Sequence, residues 1–245
     1  MKVHFFSQCL IDMFYPHVGM AGVQVLERLG CELVVPRKQT CCGQMFTNSG
    51  YNDAAKAAIK NTIKTFEECD YMVSMSGSCA FAMKDEYREV LKDEPEWLER
   101  ANKLSGKIYE FTDFIVNVLG VTDVGAHFAD TVTYHKSCHV TRLLGVKEPP
   151  ITLLTNVDGI NYVEMEQADR CCGFGGTFSV KQPEISEVMT REKAMTIAAT
   201  GANFVVGGDQ ACLMNIEGML DRLHKEGVID RRIRVKHIAE ILNCR

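Results

Sequence analysis

The sequence predicts an α/β fold of two tandem, duplicated cysteine-rich units, each a small parallel sheet with flanking helices. Three observations carry this reading. Short apolar runs alternate with longer stretches of helical periodicity along the chain. Cys41-Cys42-Gly43 recurs as Cys171-Cys172-Gly173. Each of these motifs has one cysteine upstream and one downstream at matched spacing. Cys9 precedes Cys41 by 32 residues and Cys138 precedes Cys171 by 33; Cys79 follows Cys42 by 37 and Cys212 follows Cys172 by 40. The expected units are 1–122 and 127–245, joined by a linker over 120–129.

In chain order, 3–6 reads as a buried strand leading to Cys9. A helix is expected over 19–30, with Val23, Val25, Leu26 and Leu29 apolar and a glycine to end it. A strand at 32–36 stops at Pro36 and leads to the first Cys-Cys-Gly loop. Residues 53–68 form an amphipathic helix, and 71–75 a strand that leads to Cys79 at the start of another helix. The charged stretch 92–103 reads as a solvated helix, 108–109 as a strand and 112–119 as a helix. The order then repeats, with strands at 131–134, 161–164, 204–206 and 234–235 and helices at 184–199, from Cys212 to about 227, and at 237–242. In a parallel sheet, ligands sit beyond the carboxyl ends of the strands. All eight repeated cysteines fall just after an expected strand, so each unit directs four thiols to one rim.

Composition excludes several classes. The chain is 46% hydrophobic and 24% charged, ordinary for a globular protein. A net charge of −5 argues against nucleic-acid binding. No apolar run approaches the roughly 18 residues of a membrane span. The first ten residues, interrupted by His4, Ser7 and Gln8, do not read as a signal peptide. The expected location is therefore the cytoplasm, where eleven cysteines point to metal, cluster or redox chemistry rather than a disulfide framework.

Cys9, Cys41, Cys42 and Cys79, and Cys138, Cys171, Cys172 and Cys212, are the candidate ligands of two centres. Four thiolates suit an iron–sulfur cluster or zinc, and the absence of a Cys-x-x-Cys pair is unusual for zinc. Vicinal cysteines also admit a thiol–disulfide enzyme, a reading that leaves the regular placement of the other four unexplained. Cys31 and Cys69 border strands and read as core; Cys244 reads as incidental. His135 and His139 flank Cys138, as cluster-facing groups or as parts of a capped loop, where the first unit has Phe6 and Leu10. Lys136 and Arg142 are candidates to offset cluster charge. Gly173-Phe174-Gly175-Gly176 lacks the remainder of a phosphate loop. Thr177 and Ser179 match Thr47 and Ser49 as loop hydrogen-bonding groups.

Cys-Cys-Gly-Gln at 41–44, Ser-Gly-Ser-Cys-Ala at 76–80, His-Lys-Ser-Cys-His at 135–139 and Cys-Cys-Gly-Phe-Gly-Gly at 171–176 resemble the CCG cysteine-rich domain. That domain occurs in the cysteine-rich subunit of heterodisulfide reductase, the iron–sulfur subunit of glycolate oxidase and the LutA/YkgE lactate-utilisation family, and the whole chain is most similar to the last. The resemblance implies one or two iron–sulfur clusters, 4Fe–4S in type, with zinc as the alternative. It implies a non-catalytic or co-catalytic electron-transfer subunit that oxidises L-lactate to pyruvate with LutB-like and LutC-like partners, which can bring it to the inner face of the membrane. The fuller family pattern ends in Cys-x-x-Cys. Here Ser76 and Asp209 hold the first of those positions, which sets the disulfide-cleaving, noncubane cluster of heterodisulfide reductase apart from this chain. Asp209 is then either an oxygen ligand or a loop cap. No base–nucleophile arrangement for lactate chemistry stands out, so no catalytic residue is assigned.

Overall fold

The computed structural model describes residues 1–245. The first sheet contains β1 (Lys2–Phe6), β2 (Glu32–Val34), β3 (Met72–Ser74) and β4 (Ile108–Glu110), in the order β2-β1-β3-β4. The second contains β5 (Thr131–His135), β6 (Asn161–Tyr162), β7 (Phe204–Gly207) and β8 (Arg234–His237), in the order β6-β5-β7-β8. Every pairing is parallel. The central strands β3 and β7 are buried throughout, as parallel strands covered on both faces must be.

Local chemistry sets most boundaries. Pro16 and Pro183 stand at first helical positions, where a missing N–H costs nothing, and open the helices Pro16–Arg28 and Pro183–Ala199. Glu110 ends β4 and caps the next helix through Oε2, which accepts from Thr112 N (2.8 Å) and Asp113 N (3.1 Å). His237 ends β8 and caps the helix Ile238–Asn243, with Glu240 returning a bond to the His237 N–H.

The structure departs from the sequence reading in four places. A helix at Glu148–Thr155 has no counterpart in that reading; Pro149 and Pro150 occupy its first turn, where proline is tolerated. The helix expected to begin at 19 begins at Pro16, preceded by the short helix Cys9–Phe14. The charged helix is Pro95–Ser105, and it is anchored rather than merely solvated: Ala101 and Leu104 are buried. The linker is not a loose tether, since Val124 and Ala126 are buried in the central core.

That core explains how the two sheets join. One cluster of 26 buried residues draws on both, from Val3 and Phe5 to Val206 and Ile241. A lateral cluster of 18 fills the first unit around Phe66 and Tyr87, and one of 13 fills the second around Ile216 and Leu223. Polar ties cross the same seam. The Arg28 guanidinium donates to Leu242 O, and His237 Nε2 lies 3.0 Å from Met75 O. The helix starting at Gly77 presses on the turn His139–Leu143 so closely that a Cβ at Gly77 would sit 2.2 Å from Val140 Cγ2.

Two outcomes follow. Gly77→Ala should lower stability by roughly 1–3 kcal/mol through overpacking. Gly106→Ala, with open space around it and an ordinary φ of −69°, should be neutral or stabilising; urea unfolding separates the two. Glu110 is fully buried, and burial lifts its carboxyl to about 7 from 4.5. Because the raised pKa favours the protonated folded state, this contribution to stability is complete below about pH 4.5 and is lost as pH rises to 7. Glu110→Gln should match wild type near pH 5 and exceed it near pH 8, by on the order of 2–3 kcal/mol.

Candidate metal centre

Because all strands of a sheet run the same way, their carboxyl ends share one edge. The two edges face each other across the seam. All eight repeated cysteines line one cavity of ≈ 320 Å³ there, together with Gln8, Gln44, His139, Asp209 and the Phe174-Gly175-Gly176 loop. The sequence placed four thiols at each rim; the sharing of one cavity was not legible in it.

The two tetrads are built alike. Cys9 opens the helix Cys9–Phe14, Cys79 lies in the first turn of Gly77–Phe81, and Cys212 in the first turn of Gln210–Lys225. Gly43 (φ 91°) and Gly173 (φ 81°) adopt the left-handed conformation. A Cβ at Gly173 would also meet Thr190 Oγ1 at 2.7 Å, so the glycine is required twice over. The turn aims the Gly43 N–H at Cys41 Sγ (3.5 Å) and the Gly173 N–H at Cys171 Sγ (3.4 Å). Buried hydroxyl and amide groups fix the carbonyls behind: Tyr87 donates to Cys42 O, and Thr190 and Asn215 donate to Cys172 O.

One cysteine in each tetrad is held as thiolate. Cys41 falls to about 3, first through its bond from Cys42 and then through that from Cys9 (3.8 Å). Cys171 falls to about 2, first through Cys138 and then through Cys172. Cys9, Cys42, Cys138 and Cys172 are pushed up, each first by donating to that thiolate. Behind them, Cys42 Sγ lies 3.4 Å from Cys79 Sγ, Cys79 donates to Gln8, and Cys212 donates to Ser137. A metal replaces such shared protons with bonds of its own. The donor set therefore fits a thiophilic centre. Sulfur pairs 3.4–3.8 Å apart match the roughly 3.8 Å edge of a tetrahedron around one ion with metal–sulfur bonds of about 2.3 Å; a larger core has the cavity into which the thiols can turn.

Of the two readings of Asp209, the structure shows the cap. Its Oδ1 accepts from Ala211 N (3.3 Å), and Oδ2 accepts from Ser76 Oγ (3.1 Å) and Ser78 N (2.9 Å) of the other unit. Of the loop hydroxyls, Ser49 of the first unit and Thr177 of the second bond to each other at 2.7 Å. His139 lines the cavity, with Nε2 3.2 Å from Gln44 Nε2 of the first unit, Nδ1 3.5 Å from Cys138 Sγ, and its ring against Phe81. His135 is buried at the end of β5 rather than in a loop. Lys136 and Arg142 do not face the thiols; they bind Glu164 and Asp169 O. The buried cation near the second tetrad is Lys193, which sequence reading missed on a charged helix. Its ammonium donates to Gln167 O and Ala168 O, and burial lowers its pKa to about 8 against the opposing pull of Cys172. Cys31 and Cys69 are buried in the cores, as expected.

Fold and site together define a duplicated cysteine-rich protein with one thiol-lined cavity between its halves. The CCG family, described as a cysteine-rich domain, matches residues 3–84 and 132–217. Lactate utilization protein A of Bacillus cereus (strain G9842) is 54% identical over 245 residues, covering 100% of both chains. The same identity and coverage hold for lactate utilization protein A of Bacillus cytotoxicus and lactate utilization protein A 2 of Bacillus mycoides (strain KBAB4). The chain belongs to the lactate utilization protein A family. Among solved structures, a hypothetical protein from Helicobacter pylori shares the fold at a TM-score of 0.63 and 11% identity, over 98% of this chain and 48% of that one. No helix is long and apolar enough to cross a membrane.

Asp209→Ala should destabilise the protein by roughly 1–3 kcal/mol, since it removes the acceptor of the Ser78 N–H, the bond from Ser76 Oγ across the seam and a helix cap. Asp209→Asn, which keeps an oxygen toward Ser78, should lose less in the same denaturation measurement.

Proposed function

We propose that this chain is an iron–sulfur electron-transfer subunit of a complex that oxidises L-lactate to pyruvate. Cys9, Cys41, Cys42 and Cys79 hold one centre and Cys138, Cys171, Cys172 and Cys212 the other, in units 1–122 and 127–245. The carrying observation is the convergence of eight thiols on one cavity. The names of relatives matching this chain end to end support the lactate assignment. Removing two electrons and two protons from lactate needs an electron acceptor, and the centres, when bound, supply one.

The chain's own residues hold and shield such centres. The Gly43 and Gly173 N–H groups donate to sulfur, and Lys193 sets a positive charge beside the second tetrad. The one histidine–thiol contact at the cavity, His139 Nδ1 3.5 Å from Cys138 Sγ, uses a cysteine that this reading assigns as a ligand, so proton abstraction falls to LutB-like or LutC-like partner subunits. The cytoplasm, or the inner membrane face reached through those partners, is the location this role requires. A zinc-bound structural module is the second reading, favoured by sulfur pairs at the spacing of ligands to one ion.

Protein prepared without oxygen should contain iron and acid-labile sulfide, with visible absorption that bleaches on reduction and an electron paramagnetic resonance signal. Cys172→Ser should remove the second centre's iron and abolish lactate oxidation by the reconstituted complex. Zinc without sulfide, or normal turnover by the Cys172→Ser complex, would overturn the assignment.

A further inference from the structure

Phe6 and His135 occupy the same place in the two units. Each ends the first strand of its sheet, three residues before the first cysteine of its tetrad. Phe6 is buried in the apolar cluster that contains Cys42 and Cys79, with its ring edge-on to Phe66 at 5.8 Å. His135 faces Cys172 and Cys212, the matching pair, and a ring nitrogen and both sulfurs lie within 4.8 Å of one another. Only 1% of His135 is exposed, and neither Nδ1 nor Nε2 has a hydrogen-bond partner. A phenyl ring is at ease in such a place. An imidazole leaves two polar atoms dry, at a cost that folded proteins seldom tolerate without a partner.

The neighbours do not supply that partner. Asp209 is committed to Ala211, Ser76 and Ser78, and the Lys193 ammonium, itself only a donor, is turned to Gln167 O and Ala168 O. The sulfurs are the groups within reach. A nitrogen about 2.0–2.1 Å and a sulfur about 2.3 Å from one ion lie at most about 4.4 Å apart, so these three donors are a small rotation away from sharing a metal.

We propose that His135 supplies a nitrogen ligand to the second centre beside Cys172 and Cys212, in place of one of the two half-buried thiols Cys138 and Cys171, so that this centre is a four-ligand mixed imidazole–thiolate site, whereas the first centre is all-thiolate. The inference rests on the second tetrad holding a metal and not on the lactate assignment. Exchanging a thiolate for a neutral imidazole removes negative charge from the centre, and in two-iron clusters that exchange raises the potential. Two inequivalent centres facing one cavity would then give electrons a direction from the first unit to the second.

The test loads the reduced, oxygen-free full chain, grown with isotope-labelled histidine, with cadmium ions and records cadmium NMR. Wild type should give two resonances, one of them split by coupling to a single imidazole nitrogen. His135→Phe, which copies the first unit, should remove that coupling and move this resonance alone toward its all-thiolate neighbour. Absence of nitrogen coupling in wild type overturns the proposal even if His135→Phe fails to fold, and so does coupling that survives in His135→Phe. Failure of the second tetrad to bind cadmium overturns it too. Iron and sulfide analysis is a separate measurement. A chain that takes up no iron and sulfide yet shows the nitrogen coupling keeps His135 as ligand and loses the iron–sulfur reading.

Discussion

Strand polarity is the constraint on which the site depends. In a parallel sheet each strand must be followed by a crossover back to the starting edge, so all strands end on one side. Cys9 and Cys79 follow the neighbouring strands β1 and β3 within a few residues, and the loop after β2 returns Cys41 and Cys42 to the same edge. The second sheet repeats this with Cys138, Cys212, Cys171 and Cys172. No long-range search brings the thiols together within a unit: once the four strands pair, the tetrad is assembled. The central core, shared by both sheets, then turns the two edges toward each other.

This explains what was legible in the sequence. Strands and tetrads were readable because glycine, proline and cysteine punctuate them at duplicated spacing. The facing of the two edges was not readable, because it depends on residues with no local signature. Val124 and Ala126 look like linker yet lie in the core, and Gly77 reads only as the start of a helix although its lack of a side chain is what admits Val140. Lys193 was missed for a similar reason. It stands beside Arg191 and Glu192 in the sequence, and only packing of its helix Pro183–Ala199 against the second lateral core shows that its stem is buried and its head is held by carbonyls. The helix Glu148–Thr155 offers little to read locally: it is eight residues long, and two of them are prolines in the first turn, where proline is harmless.

Burial divides the cysteines into two kinds with different chemistry. Cys42, Cys79, Cys172 and Cys212 are buried and pack with apolar side chains, whereas Cys9, Cys41, Cys138 and Cys171 are half-buried at the cavity. The thiolates are in the second group, where backbone N–H groups and neighbouring thiols stabilise charge. Each tetrad thus has a dry back that resists exchange with solvent and a polar front open to the cavity.

The positions where the wider family pattern carries a further cysteine show how the two fronts are kept in place. Ser76 and Asp209 occupy those positions, one in each unit, and they are bonded to each other across the seam. A thiol at either position would be a weak donor or acceptor, whereas a hydroxyl and a carboxylate make a charge-assisted bond that also caps the helix carrying Cys212 and gathers in the Ser78 N–H. A single interface contact thus stands where the resemblance would place two further thiols. Four thiols remain in each tetrad, the number an ordinary four-coordinate centre needs, and the loops that carry Cys79 and Cys212 are tied directly to each other.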